Sequence, residues 1–164
     1  MEVARSMRIA TEDDFLAASE IRKLVLPASH GYEYENNIRC AGTFNAVAVI
    51  EGKVVGFVSA LTDNAPRVPD APAKDDHLWK FLRPYIAFVG VRSDYQGQRI
   101  GSSLLIWVCD SIFSFAECQS IYLECTEEHR STYARVGFQL VPADEIERQF
   151  HQRPKALVLL KQRP

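Results

Sequence analysis

The residues of this chain best suited to chemistry lie in RSDYQGQR, residues 92–99, between an apolar run ending at Val91 and an amphipathic run starting near Ile100. Gly97 falls inside this segment, and Gly101 in the first turn of the amphipathic run. A loop from a strand into a helix ends on unpaired N–H groups and about half a positive charge, which suits phosphate where the backbone can come close. Gly97 and Gly101 permit that approach, the side chain of Gln96 adds a donor, and Arg99 adds a positive charge for a diphosphate or a ribose phosphate. The structural alternative is that Gly97 only turns the chain and Gly101 only lets the helix pack closely on its sheet. Neither G-x-G-x-x-G nor a G-K-[ST] ending is present, which argues against a dinucleotide fingerprint and a P-loop.

Glu124 is the second candidate. It interrupts the apolar segment IYLEC, where a carboxylate is costly unless paired or wet, and so qualifies as a general base. Strand alternation could equally turn it to solvent. His129 is the alternate base, with helix capping as its other reading. Asp76 and His77, on a proline-bearing stretch, could reach a substrate or be simply solvated. The four cysteines, Cys40, Cys109, Cys118 and Cys125, lack C-x-x-C spacing and are too few for a disulfide framework, so they read as reduced thiols used in packing. No metal is expected.

These residues must be held by a mixed α/β scaffold. A first strand is expected around Met7 to Ala10. Thr11 and Asp14 then resemble a capping box that opens a helix carrying Phe15, Ala18, Ile21 and Val25, with Pro27 as its stop. A second short helix is a weaker reading of residues 28–43. Ala46 to Ile50 and Lys53 to Leu61 flank Glu51-Gly52 as a hairpin. The prolines at 66, 69 and 72 mark an extended loop, and Leu78 to Leu82 a short helical turn. Tyr85 to Val91 and Ser120 to Cys125 read as buried strands joined through the helix whose apolar face is Ile100, Leu104, Leu105, Val108 and Ile112. Such a crossover makes the two strands parallel neighbours. A short helix over Arg130 to Val136 and strands over Phe138 to Val141 and Ala156 to Lys161 complete the order, with residues 142–155 read as a loop.

At 164 residues the chain fits one domain over 1–164 with a core of its own. With 19 basic against 21 acidic residues, it is not built to coat nucleic acid or an anionic membrane. The N-terminal residues have no apolar signal core and no stretch approaches ~18 uncharged apolar residues, so no membrane partner and a cytoplasmic location are expected.

The segment from Val91 through Gln96, Gly97, Gln98, Arg99, Ile100, Gly101 and Ser102 to Leu105 resembles the acetyl-CoA loop of GNAT-type N-acetyltransferases, Q/R-x-x-G-x-G/A. Gln96 and Gly101 match, and Arg99 stands where the central glycine usually is. Tyr133 to Phe138, YARVGF, resembles the Y-x-x-x-G-F that closes the same family's cofactor half. The resemblance covers roughly Pro84 to Val141. It implies a mostly antiparallel central sheet of six to seven strands with a central parallel pair, flanked by about four helices. It also implies pantetheine pairing with the strand at Val89 and Val91, and diphosphate caught by amides from Gln96 to Ser102.

The implied reaction is acetyl transfer from acetyl-CoA to a primary amine, with Tyr133 as the acid for the departing thiolate. The alternative for Tyr133 is core packing through its ring. Glu124 resembles the strand glutamate of family members that modify protein N-termini. His129 stands where relatives often carry asparagine, which implies cofactor contact. The acceptor would lie against residues 26–44 and 142–155, where Glu33, Glu35, Asp144, Glu145 and Glu147 either attract a cationic amine or are simply solvated. Homodimers are common in the family. A CoA sensor without catalysis is the competing reading, and an interaction domain on a borrowed fold is a third, which leaves the glycine loop unexplained.

Overall fold

The computed structural model describes residues 5–25, 42–62, 82, 84–151, 154 and 156–164. The expected second short helix, the proline-bearing loop with Asp76 and His77, Glu33 and Glu35, and most of the turn at 78–82 lie outside them. Seven strands form one sheet in the order β1-β2-β3-β4-β5-β7-β6. They are β1 (Arg5–Ile9), β2 (Thr43–Ile50), β3 (Lys53–Leu61), β4 (Tyr85–Val91), β5 (Ser120–Cys125), β6 (Gln139–Leu140) and β7 (Leu157–Gln162). Among the described residues only β4 and β5 pair in parallel, as a crossover through a helix requires. Four α-helices accompany them among the described residues: α1 (Phe15–Val25), α2 (Ile100–Phe115), α3 (Glu127–Ala134) and α4 (Ala143–Phe150).

The β2–β3 hairpin turns on Glu51 and Gly52, both at positive φ (50° and 75°), the backbone of the tight two-residue turn that matches strand twist. Ala18 and Ile21 of α1 pack on Val47, Phe57 and Phe88 on one face of the sheet. On the other face, Leu104, Leu105, Val108 and Ile112 of α2 meet Ala46, Val58, Ile86, Ile121 and Leu123, with Val136 beside α3 completing this larger core. Ile146 of α4 joins Leu82, Val141 and Val158 in a third cluster. The two faces are thus covered by different helices, and β4 and β5 lie between them.

Two expectations need correcting. The segment 142–155 is not simply a loop: α4 occupies Ala143–Phe150, its Ile146 and Phe150 one turn apart on the apolar side, with Asp144, Glu145 and Glu147 exposed. Helix α3 begins at Glu127 rather than Arg130, because Thr126 has extended backbone and the acids Glu127 and Glu128 suit the positive end of a helix. The capping box holds, although the first turn after Thr11 is a 3-10 turn (Glu12–Asp14) that leads into α1. Among the described residues no helix is long and apolar enough to cross a membrane.

Candidate active site

β4 and β5 pair only at Tyr85↔Tyr122 and Ile86↔Leu123 and then part. At the point of parting, β4 carries an extra residue. Its register against β3 steps from Ala60↔Ile86 to Ser59↔Phe88, which leaves Ala87 as a β-bulge. The bulge puts Ile86 in the α2 core and Phe88 in the α1 core, although the two are separated by a single residue. Beyond it, the Arg92 N–H donates to the Val55 carbonyl of β3 at 2.9 Å. Alternation along the strand therefore turns the backbone groups of Val89 and Val91 to the other edge, into the gap that β5 has left. That gap is a slot along the β4 edge, where the Val91 carbonyl is taken by the side chain of Gln96.

The loop after β4 leads from this slot into α2. Ser93–Tyr95 form a 3-10 turn; the Gln96 N–H donates to the Ser93 carbonyl at 3.3 Å, and Gln96 Nε2 to the Val91 carbonyl at 3.0 Å. Gln96 therefore braces the loop with both groups that were expected to face a ligand. The first repeating helical bond is Ser103 N–H to Arg99 C=O at 3.0 Å, so the amides of Arg99, Ile100, Gly101 and Ser102 precede it. No side chain caps this helix and no acid stands in its first turn, whereas α3 and α4 each begin with two acids. The start of α2 is thus not closed by a side chain of its own first turn.

Each glycine also has a local reason. Gly97 has φ 77° and open space around it, so it turns the chain, and a Cβ on Gly101 would lie 3.2 Å from Val91 Cγ2, so its absence seats α2 on β4. Arg99 adopts the left-handed backbone at φ 62°, ψ 13°, a conformation that glycine reaches without penalty and a residue with a Cβ does not. Its side chain is exposed at the helix start.

Glu124 and Tyr133 approach the slot from opposite faces. Ile121 and Leu123 point into the α2 core while Tyr122 joins the α4 cluster, so alternation turns half-buried Glu124 to the face of α1 and α4. Tyr133 is half-buried against the α2 core with its ring edge-on to Phe138, centroids 6.2 Å apart. Burial, with the Cys125 thiol beside it, pushes the Tyr133 phenol up from its ordinary range, so it keeps its proton at neutral pH. Cys125 is itself pushed up, by burial and then by Glu127, while burial drives the Cys109 thiol to about 12. Both remain thiols rather than nucleophilic thiolates.

Tyr85 was not singled out by sequence, because a tyrosine opening an apolar strand looks like core. Its phenol is pushed far up by burial and then by the Glu124 carboxylate and Tyr133, which puts it within electrostatic reach of both. His129 stands apart: it is exposed, its Nδ1 lies 2.9 Å from Thr126 Oγ1 and 3.5 Å from Glu128 Oε1, and its backbone N–H bonds the Thr126 carbonyl. The side-chain contacts of His129 are with other side chains, and no side-chain hydrogen bond caps the start of α3.

The fold has close counterparts among solved structures. The ribosomal-protein-S18-alanine N-acetyltransferase of Escherichia coli superposes with a TM-score of 0.68 at 18% identity, covering 97% of this chain and 94% of that one. Naa50 of Arabidopsis thaliana, in complex with the bisubstrate analogue CoA-Ac-MVNAL, also gives 0.68, at 20% identity over 98% and 100% of the two chains. NAA60 of the same plant, in complex with acetyl-CoA, gives 0.67 at 16% identity over 97% and 98%. No curated protein matches the chain in sequence. The model of the acetyltransferase (GNAT) family matches residues 9–138, from the end of β1 through the tyrosine motif, and on that match the chain belongs to the GNAT acetyltransferase family.

Proposed function

We propose that the protein transfers an acetyl group from acetyl-CoA to a primary amine, of a small molecule or a protein, by direct attack in a ternary complex. The observation that carries this reading is the slot between β4 and β5, which joins a face bearing Glu124 and Tyr85 to a face bearing Tyr133 and the uncapped start of α2. In this reading Val89 and Val91 pair with pantetheine, and the amides from Gly97 to Ser102, with the Arg99 guanidinium, hold the diphosphate. His129 lies at the edge of this cofactor half.

An ammonium with a pKa of ~10.4 must lose a proton before it can attack. Glu124, directly or through a water, accepts it. The amine nitrogen then bonds to the thioester carbon, strand N–H groups at the slot hold the oxyanion, and collapse breaks the C–S bond. The electron pair leaves on sulfur, Tyr133, which is still protonated, supplies the proton, and the second proton of the nitrogen leaves as the amide forms and restores the phenol through solvent.

Thiol release from acetyl-CoA against an amine panel tests the activity. Peptides with a free N-terminus head the panel, because similar folds bind bisubstrate analogues, one of them CoA-Ac-MVNAL. Polyamines come next, since a spermidine N-acetyltransferase chimera shares the fold at a TM-score of 0.64. Tyr133→Phe should lower kcat by about 100-fold while CoA affinity by calorimetry stays within about twofold. The rival reading, a CoA sensor without turnover, draws support from Arg99 in place of a glycine. It predicts CoA binding with no thiol release on any amine and nothing for Tyr133→Phe to remove.

A further inference from the structure

Ile100 sits where Gly56 of β3 has no side chain: a Cβ there would lie 3.3 Å from Ile100 Cγ2 and 3.4 Å from the Ala48 Cβ of β2. This seat draws the start of α2 across β3 toward β2 and carries the preceding loop to the β1 edge of the sheet. Arg5, paired with Ile50 across β1 and β2, meets it there. Its Nη1 lies 3.4 Å from the Gln98 backbone carbonyl and its Nη2 3.4 Å from Gln98 Oε1, a fork of the guanidinium on one residue 93 positions away.

In a trans peptide the C=O and the following N–H point in opposite directions. A Gln98 carbonyl turned toward Arg5 therefore turns the Arg99 N–H away from Arg5. The next residue needs such a hold, because Arg99 is in the left-handed region and no side-chain cap fixes the helix start.

We propose that Arg5 is the positioning residue of the CoA loop: it clamps the peptide between Gln98 and Arg99 so that its N–H faces the diphosphate. The inference rests on the reading of that loop as the acetyl-CoA site.

Calorimetry with CoA on the full chain, on Arg5→Met and on Arg5→Lys tests it, with urea midpoints measured alongside. Arg5→Met should weaken CoA binding about tenfold. It should raise KM for acetyl-CoA to match, with kcat and the amine KM unchanged and the urea midpoint close to that of the parent chain. Arg5→Lys, which keeps the charge but not the fork, should recover part of the loss. Arg5→Met binding CoA as the parent does would overturn the proposal. So would a loss of affinity that only tracks a fall in the urea midpoint, since Arg5 would then be holding the strand rather than the peptide. A parent chain that binds no CoA overturns the reading of the loop itself, a different result from a parent that binds and a variant that binds equally well.

Discussion

The start of α1 and the start of α2 pose the same problem, a cluster of backbone amides at the positive end of a helix, and they are finished in opposite ways. Before α1, the Asp14 carboxylate takes the Thr11 N–H at 2.7 Å and its hydroxyl at 2.9 Å, and Arg8 grips the same carboxylate at 2.6 and 2.9 Å. The chain supplies its own anion, and Arg8 with Thr11 holds that carboxyl at about 2, below the usual carboxylate range. The first turn of α2 has no acid and its start no side-chain cap, and the N-cap residue is an arginine. A helix start closed by its own carboxylate is architecture, whereas one left open with a cation beside it is, in the function proposed above, where the diphosphate of CoA binds.

The comparison is broken most severely by making the second start like the first. Ser102→Asp places a carboxylate in the first turn of α2, and CoA affinity by calorimetry should fall about 100-fold while thermal stability holds or rises slightly. Unchanged CoA binding in that variant would remove the anion from this helix start.

Asp14→Asn opens the closed start. It should cost about 2 kcal/mol in urea unfolding at neutral pH without affecting CoA affinity. Because the carboxyl is depressed in the folded chain, its contribution is complete above the unfolded range near pH ~4 and is lost as pH falls through about 2. The stability gap between parent and variant should therefore close across that interval, and a gap that persists at the acid end would mean the carboxylate is not its source.

Arg99→Gly has the smallest effect and separates shape from charge at the open start. Relief of the left-handed backbone should raise stability by up to about 1 kcal/mol, while loss of the guanidinium weakens CoA about threefold. If CoA binds more tightly instead, backbone approach matters there more than charge.

Much of this was legible in the chain. Lys53–Leu61, Tyr85–Val91 and Ser120–Cys125 fall where the apolar runs place them, and Glu51-Gly52 announces its turn because few residue pairs accept positive φ twice. The capping residues Thr11 and Asp14 were readable because that bond spans three positions. What could not be read is what spans many. Arg5 meets Gln98 across 93 positions of sequence, and no local pattern encodes that. Gln96 turns back on its own loop, a rotamer choice that a motif does not specify. Helix α4 was missed although Ile146 and Phe150 stand one turn apart, because the surrounding charges and His151, at φ 57°, read as loop. Tyr85 was hidden by its own apolarity.

Ala87 shows how one inserted position can change the meaning of a strand. Side chains of an extended chain are read in twos, so an additional residue works as a frameshift: Tyr85 and Ile86 are set in one phase, and Phe88 to Val91 in the other. YIAFVGV shows no alternation because both of its faces are buried, in two separate cores. Deleting this one alanine would make Ile86 and Phe88 neighbours in sequence and leave each in its own core, as regular alternation requires.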